Sequence, residues 1–167
     1  MSERYLLVNN LDAQNRRWLQ QNIADKPSDV TIFDWNEHQE EWRRKNMTMI
    51  ISSFPTFVEK DGDLQFAVSG IIDWDDAINQ INWQKELLLY GDDEEKVNII
   101  QKKTRARRFV QYCMQFLQEQ NEDHKAFILQ TIDLSLFSTT EDVFQKMIEF
   151  GQECEISSAR LTSAVLI

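Results

Sequence analysis

Ser52-Ser53-Phe54-Pro55-Thr56-Phe57-Val58-Glu59-Lys60-Asp61-Gly62-Asp63-Leu64-Gln65-Phe66-Ala67-Val68-Ser69-Gly70 holds one proline and two glycines around two apolar runs. A proline ahead of a β-branched and aromatic run can open a strand but not sit in its middle, because it has no N–H for the ladder. Asp61-Gly62-Asp63 between two such runs predicts a hairpin turn, since glycine accepts the positive φ that tight turns need. Leu64, Phe66 and Val68 then alternate with Gln65, Ala67 and Ser69, the period of a half-buried strand. Gly70 closes the hairpin, and Asp73 or Asp75 starts a helix over about 73–84, marked by Trp74, Ala77, Ile78 and Ile81.

Upstream of the hairpin, Tyr5-Leu6-Leu7-Val8 is short and continuously apolar, as expected of a strand covered on both faces. Asn9-Asn10-Leu11-Asp12 is a loop with Asp12 as helix cap, and Leu11, Trp18, Leu19 and Ile23 fall at helical spacing around residues 13–23. Val30-Thr31-Ile32-Phe33 reads as a second strand. Asp34 or Asn36 then caps a helix over about 37–46, on which Trp35, His38 and Trp42 share a face. Met47-Thr48-Met49-Ile50-Ile51 leads into the hairpin. Strands alternating with helices require a parallel component and the hairpin adds an antiparallel one, so the fold class is α/β with a mixed sheet.

This order resembles the thioredoxin fold over residues 4–84, through Phe54-Pro55-Thr56-Phe57-Val58, then Lys60-Asp61-Gly62-Asp63, then Gly70 and the helix after it. The resemblance implies a cis bond between Phe54 and Pro55 and a groove beside Pro55 that receives extended peptides. Redox members carry a CxxC motif at the first strand–helix junction, where the helix dipole stabilises a thiolate. Here that junction reads Val8-Asn9-Asn10-Leu11-Asp12-Ala13, which excludes thiol chemistry there. A thioredoxin-like half followed by helices is also the plan of glutathione transferases. That implies an alternative reading as a small-molecule-binding enzyme, although no Ser, Cys or Tyr at the junction would activate a thiol.

Gly91 marks a boundary between residues 1–90 and an all-helical segment, 91–167, that holds no proline. Asp92-Asp93-Glu94-Glu95 favours a helix start. Ala106, Phe109, Val110, Cys113, Phe116 and Leu117 form an apolar stripe on a helix of about 93–120, broad enough for a bundle or a two-helix interface. Shorter helices fit 124–134, 139–150 and 157–166.

The net charge of −10 divides as −6 over 1–90 and −4 over 91–167, so phosphate backbones and anionic lipid surfaces repel both halves. Nucleic-acid and membrane roles are therefore disfavoured. No apolar run reaches the roughly 18 residues of a membrane span. Cys113 and Cys154 form neither a disulfide framework nor a zinc pattern, which suits a reducing, cytoplasmic setting.

No residue set points to catalysis, a metal or a cofactor. His38 and His124 lie outside HExxH-type patterns, and no GxSxG nucleophile motif is present. Asp73-Trp74-Asp75-Asp76 lacks the ligand spacing of a calcium loop and reads as an acidic helix start. Lys102, Lys103, Arg105, Arg107 and Arg108 are read as paired within the chain or as a grip for an acidic protein. The expectation is a non-catalytic protein–protein interaction module: an adaptor, an assembly chaperone or a structural subunit. Its candidate binding residues are Phe54 and Pro55 in the groove, Trp35, Trp42 and Trp74 among charges, for which packing of helices on the sheet is the other reading, and Phe109 and Phe116 on the helical stripe, where a homodimer is the simplest closed form.

Overall fold

Four strands of the computed structural model, β1 (Ser2–Val8), β2 (Val30–Asp34), β3 (Thr56–Asp61) and β4 (Leu64–Ser69), form one sheet in the order β2-β1-β3-β4. The residues described are 2–47, 55–132 and 139–165. β1 runs parallel to β2 and antiparallel to β3, and β3 is antiparallel to β4. The chain is thus of α/β class, with a mixed sheet followed by a helical C-terminal part. It divides into two units, Met1–Leu89 and Tyr90–Ile167.

Within the first unit, α1 (Ala13–Asn22), α2 (Trp35–Arg44) and α3 (Trp74–Leu89) flank the sheet. Alternation along β1 sends Leu6 and Val8 to one face and Tyr5 and Leu7 to the other. The first face carries Val30, Phe57 and Val68 as well, and it packs on Trp18 of α1 and on Trp74, Ala77 and Ile81 of α3. The second joins Phe33 and Val58 to Trp42 and Met47. Gly62 and Gly70 take φ of 62° and 68°, the left-handed conformation their places in the hairpin require.

β1 is longer than its apolar run predicts. Ser2, Glu3 and Arg4 pair with Asp61, Lys60 and Glu59, so partnership with β3 draws a polar segment into the sheet. Helix α3 likewise extends past residue 84 to Leu89. Two indole N–H groups tie its start to α1: Trp18 donates to the Ile71 carbonyl (2.8 Å) and Trp74 to that of Asn22 (2.7 Å). Asp73 accepts from the Asp76 N–H (2.8 Å), while the buried Asp76 carboxylate accepts from Ile72 N–H (2.8 Å), a reciprocal cap that accounts for the acidic helix start. The Phe54–Pro55 bond and the 48–51 segment lie outside the described residues.

In the second unit, α4 (Glu94–Gln118) packs against α5 (Glu122–Ile132), α6 (Thr140–Glu153) and α7 (Ser158–Val165). Its stripe Ala106, Val110, Cys113 and Phe116 is buried here, with Met114. Gly151 of α6 faces Leu161 of α7, and a Cβ at that position would overlap the Leu161 side chain. Gly151→Ala should therefore lower stability by about 1–2 kcal/mol in a denaturant titration. The gain in helix propensity, up to about 1 kcal/mol, is smaller than the cost of displacing a side chain with no exposed surface.

Candidate functional site

The carboxyl ends of β1 and β2 lie side by side, and in open α/β sheets this is where ligands gather. The loop leaving β1 is Asn9-Asn10-Leu11-Asp12. Asp12 caps α1 by accepting from the N–H groups of Gln14 (2.8 Å) and Asn15 (3.1 Å). Asn15, only 1% exposed, returns its side-chain oxygen to the Asn9 N–H at 3.1 Å. The Asn9 side-chain oxygen in turn accepts from Leu11 N–H (3.1 Å) and from the Asn36 amide across the sheet (2.6 Å). Arg16 donates to the Asn10 carbonyl at 2.7 Å. Asp34 caps α2 through the Asn36 N–H (3.1 Å).

These bonds fix the loop backbone from both sides and leave one large apolar group unburied: Leu11 is 77% exposed. The helical spacing that places Leu11 with Trp18 and Leu19 is corrected here. Leu11 precedes the cap, so it falls outside the helix and its core-facing stripe. The Asp12 and Asp34 carboxylates accept from helix N–H donors, and the loop leaving β1 exposes Leu11 beside the asparagine amides. Around that loop are three asparagines that pattern reading passed over. Asn9, Asn15 and Asn36 carry no periodic signal, and their roles depend on β1 and β2 being neighbours.

The predicted binding residues scatter. Phe54 lies outside the described residues. Pro55 is buried ahead of β3. Trp35 is half-buried at the start of α2, with the Arg43 guanidinium 5.9 Å from its ring, and it packs on the second core. Trp42 and Trp74 belong to the two cores, with 0% and 4% exposure, so neither offers a binding surface. Phe109 is half-buried against Phe150 (ring centroids 4.5 Å), and Phe116 is buried with Lys125 Nζ 5.4 Å from its ring. The stripe read as a homodimer interface therefore packs within its own unit. His38 breaks the regular backbone of α2 (φ −125°, ψ 30°), with its ring edge-on to Phe33.

A second polar constellation sits on the face of the sheet covered by α1 and α3. Glu59, 1% exposed, accepts from Arg4 Nε at 2.7 Å and pairs with Lys85 of α3. Arg4 continues to Asp29 at 3.3 Å. The sequence held one clue to this group: Glu59 shares the strand parity of the core residue Phe57, so its side chain had to enter the core.

Both thiols are buried, and burial pushes Cys113 up to about 12. Cys154 donates its S–H to the Phe150 carbonyl at 3.3 Å. The native protein at pH 8 should therefore react with a thiol reagent about 100-fold more slowly than the chain in denaturant. Rapid labelling of either cysteine in the folded state would contradict this packing. Among the described residues there is no cluster of three His, Cys, Asp or Glu side chains able to hold a metal, and no helix is long and apolar enough to cross a membrane. Comparison with protein-family profiles, curated proteins and solved structures finds no match to this chain.

Proposed function

We propose that the protein is a non-catalytic protein-binding module, an adaptor or assembly factor, whose α/β unit is a thioredoxin-like scaffold without redox chemistry. The strand order β2-β1-β3-β4, with α1 and α3 on one face and α2 on the other, supports the fold reading. The observation that carries the functional reading is Leu11. A large apolar side chain, 77% exposed, stands on a loop held by hydrogen bonds at Asn9, Asn10 and Asp12. Pre-ordering of this kind favours association, because little loop entropy remains to be lost on binding. Two buried thiols suit a reducing, cytoplasmic setting.

The test compares proteins captured by the wild type and by Leu11→Asp at equal expression. A partner retained by the wild type should fall at least about tenfold with the variant, the usual size of a central apolar anchor. Identical partner sets with the fold intact would overturn the assignment. So would a rise in melting temperature on adding millimolar glutathione, which would favour the transferase-like alternative.

A further inference from the structure

Three charged residues of α4, Glu95, Lys102 and Arg105, lie with opposite signs at the two ends of one exposed stripe. Glu95, Asn98, Lys102 and Arg105 follow one another at spacings of three, four and three, which places them on a single helix face. All four are exposed. Among the described residues, neither Glu95 nor Lys102 nor Arg105 has an ion-pair partner, while Lys103, on another face of α4, pairs with Glu155 at 2.8 Å and Arg107 is buried. Helix geometry explains why the stripe cannot satisfy itself. Glu95 lies about 10 Å along the axis from Lys102 and about 15 Å from Arg105, beyond the reach of an ion pair.

We infer that this face of α4 binds the same face of a second copy of the chain, antiparallel and related by a two-fold axis near residue 100. In that register Glu95 of each copy meets Arg105 of the other, and Asn98 meets Lys102. A row at spacings of three and four can face the same row of an antiparallel helix, and these charges are self-complementary only in the antiparallel sense. Ile99 flanks the stripe, is 51% exposed and falls at the axis, where it meets its own copy and supplies apolar contact between the two charged ends. At a net charge of −10 two copies repel overall, and the Glu95–Arg105 pairs offset that repulsion at this face. The inference deepens the reading of the protein as a binding module by naming one partner, a second copy, and a face of the second unit that would receive it.

Light scattering over a concentration series tests it. In about 0.1 M salt the wild type should reach twice the chain mass, and in about 1 M salt its dissociation constant should rise at least about fivefold, because contact charge pairs are screened. Glu95→Lys and Arg105→Glu each set like charges against each other, and each should be monomeric, at least about tenfold weaker in self-association. Mixing the two variants restores both attractive pairs, so the equimolar mixture should form the heterodimer. Circular dichroism of each variant should overlay that of the wild type, since both positions are exposed. A wild type monomeric throughout, or single variants that dimerise like it, overturns the inference. A monomeric wild type that still shows Leu11-dependent capture would leave the binding-module reading standing, and a dimer without such capture would do the reverse.

Discussion

Glu59→Ala should destabilise the α/β unit by about 3 kcal/mol at neutral pH, because removing one member of a buried ion pair strands its partners. The carboxylate is 1% exposed in the sheet and receives Arg4 from β1 and Lys85 from α3. Arg4 and Lys85 are 27% and 36% exposed, so each can turn partly to water once the carboxylate is gone, which keeps the loss below the top of the range. Burial is the largest single influence on this carboxyl and would raise its pKa. Hydrogen bonds from Lys85 and Arg4, together with their charges, outweigh it and hold the group below the ordinary carboxylate value. A lowered folded-state pKa means the stabilisation is complete above the unfolded value of about 4.3 and is lost as pH falls through the folded one. Urea unfolding should show the gap between wild type and Glu59→Ala narrowing between pH 7 and pH 3. A gap that stays constant or widens would mean that the ion pairs do not carry the difference.

Trp42→Ala should cost about 4 kcal/mol, the range for deleting a large core aromatic. Its ring has no exposed surface and stands edge-on to Tyr5 (5.9 Å) and Phe33 (5.3 Å), closing the second core between α2 and the sheet. Trp35→Ala, at a half-buried position on the same helix, should cost less than about 1.5 kcal/mol, since part of its area remains in water and little cavity forms. Chemical unfolding of the two variants separates the roles. Equal losses would place both rings alike and contradict the burial pattern.

The difference between these tryptophans shows where sequence reading stops. Trp42 stands between Glu41 and Arg43, and charged neighbours suggested a surface position. Adjacent helical residues, however, point about 100° apart, so flanking charges say nothing about the face a side chain takes. Periodicity fared better where the signal was local. The strand Leu64–Ser69, the Gly62 turn and the cap Asp12 were legible, and Asp34 and Asp73 were each one of two candidate caps, because each depends on residues within a few positions. Leu64, on the inward side of the alternation, is nonetheless 53% exposed. The Arg4–Glu59–Lys85 group was not, since it needs the β1–β3 register and the crossing of α3, both set by packing at a distance. Leu11 illustrates the same limit in reverse. Its spacing fits the helix, but the cap at Asp12 ends the helix before reaching it.

The binding surface at the β1–α1 loop can be tested in place with a photo-crosslinking residue at position 11, compared with one at position 64. Leu64 is also exposed, at 53%, and lies at the opposite end of the sheet, where the hairpin meets the start of β1. The seven residues of β1 put these ends about 20 Å apart, so one partner contact seldom covers both. Crosslinked adducts to a distinct protein at position 11, with none or far fewer at position 64, are the predicted result. Adducts of equal strength at both positions, or none at position 11, would contradict it.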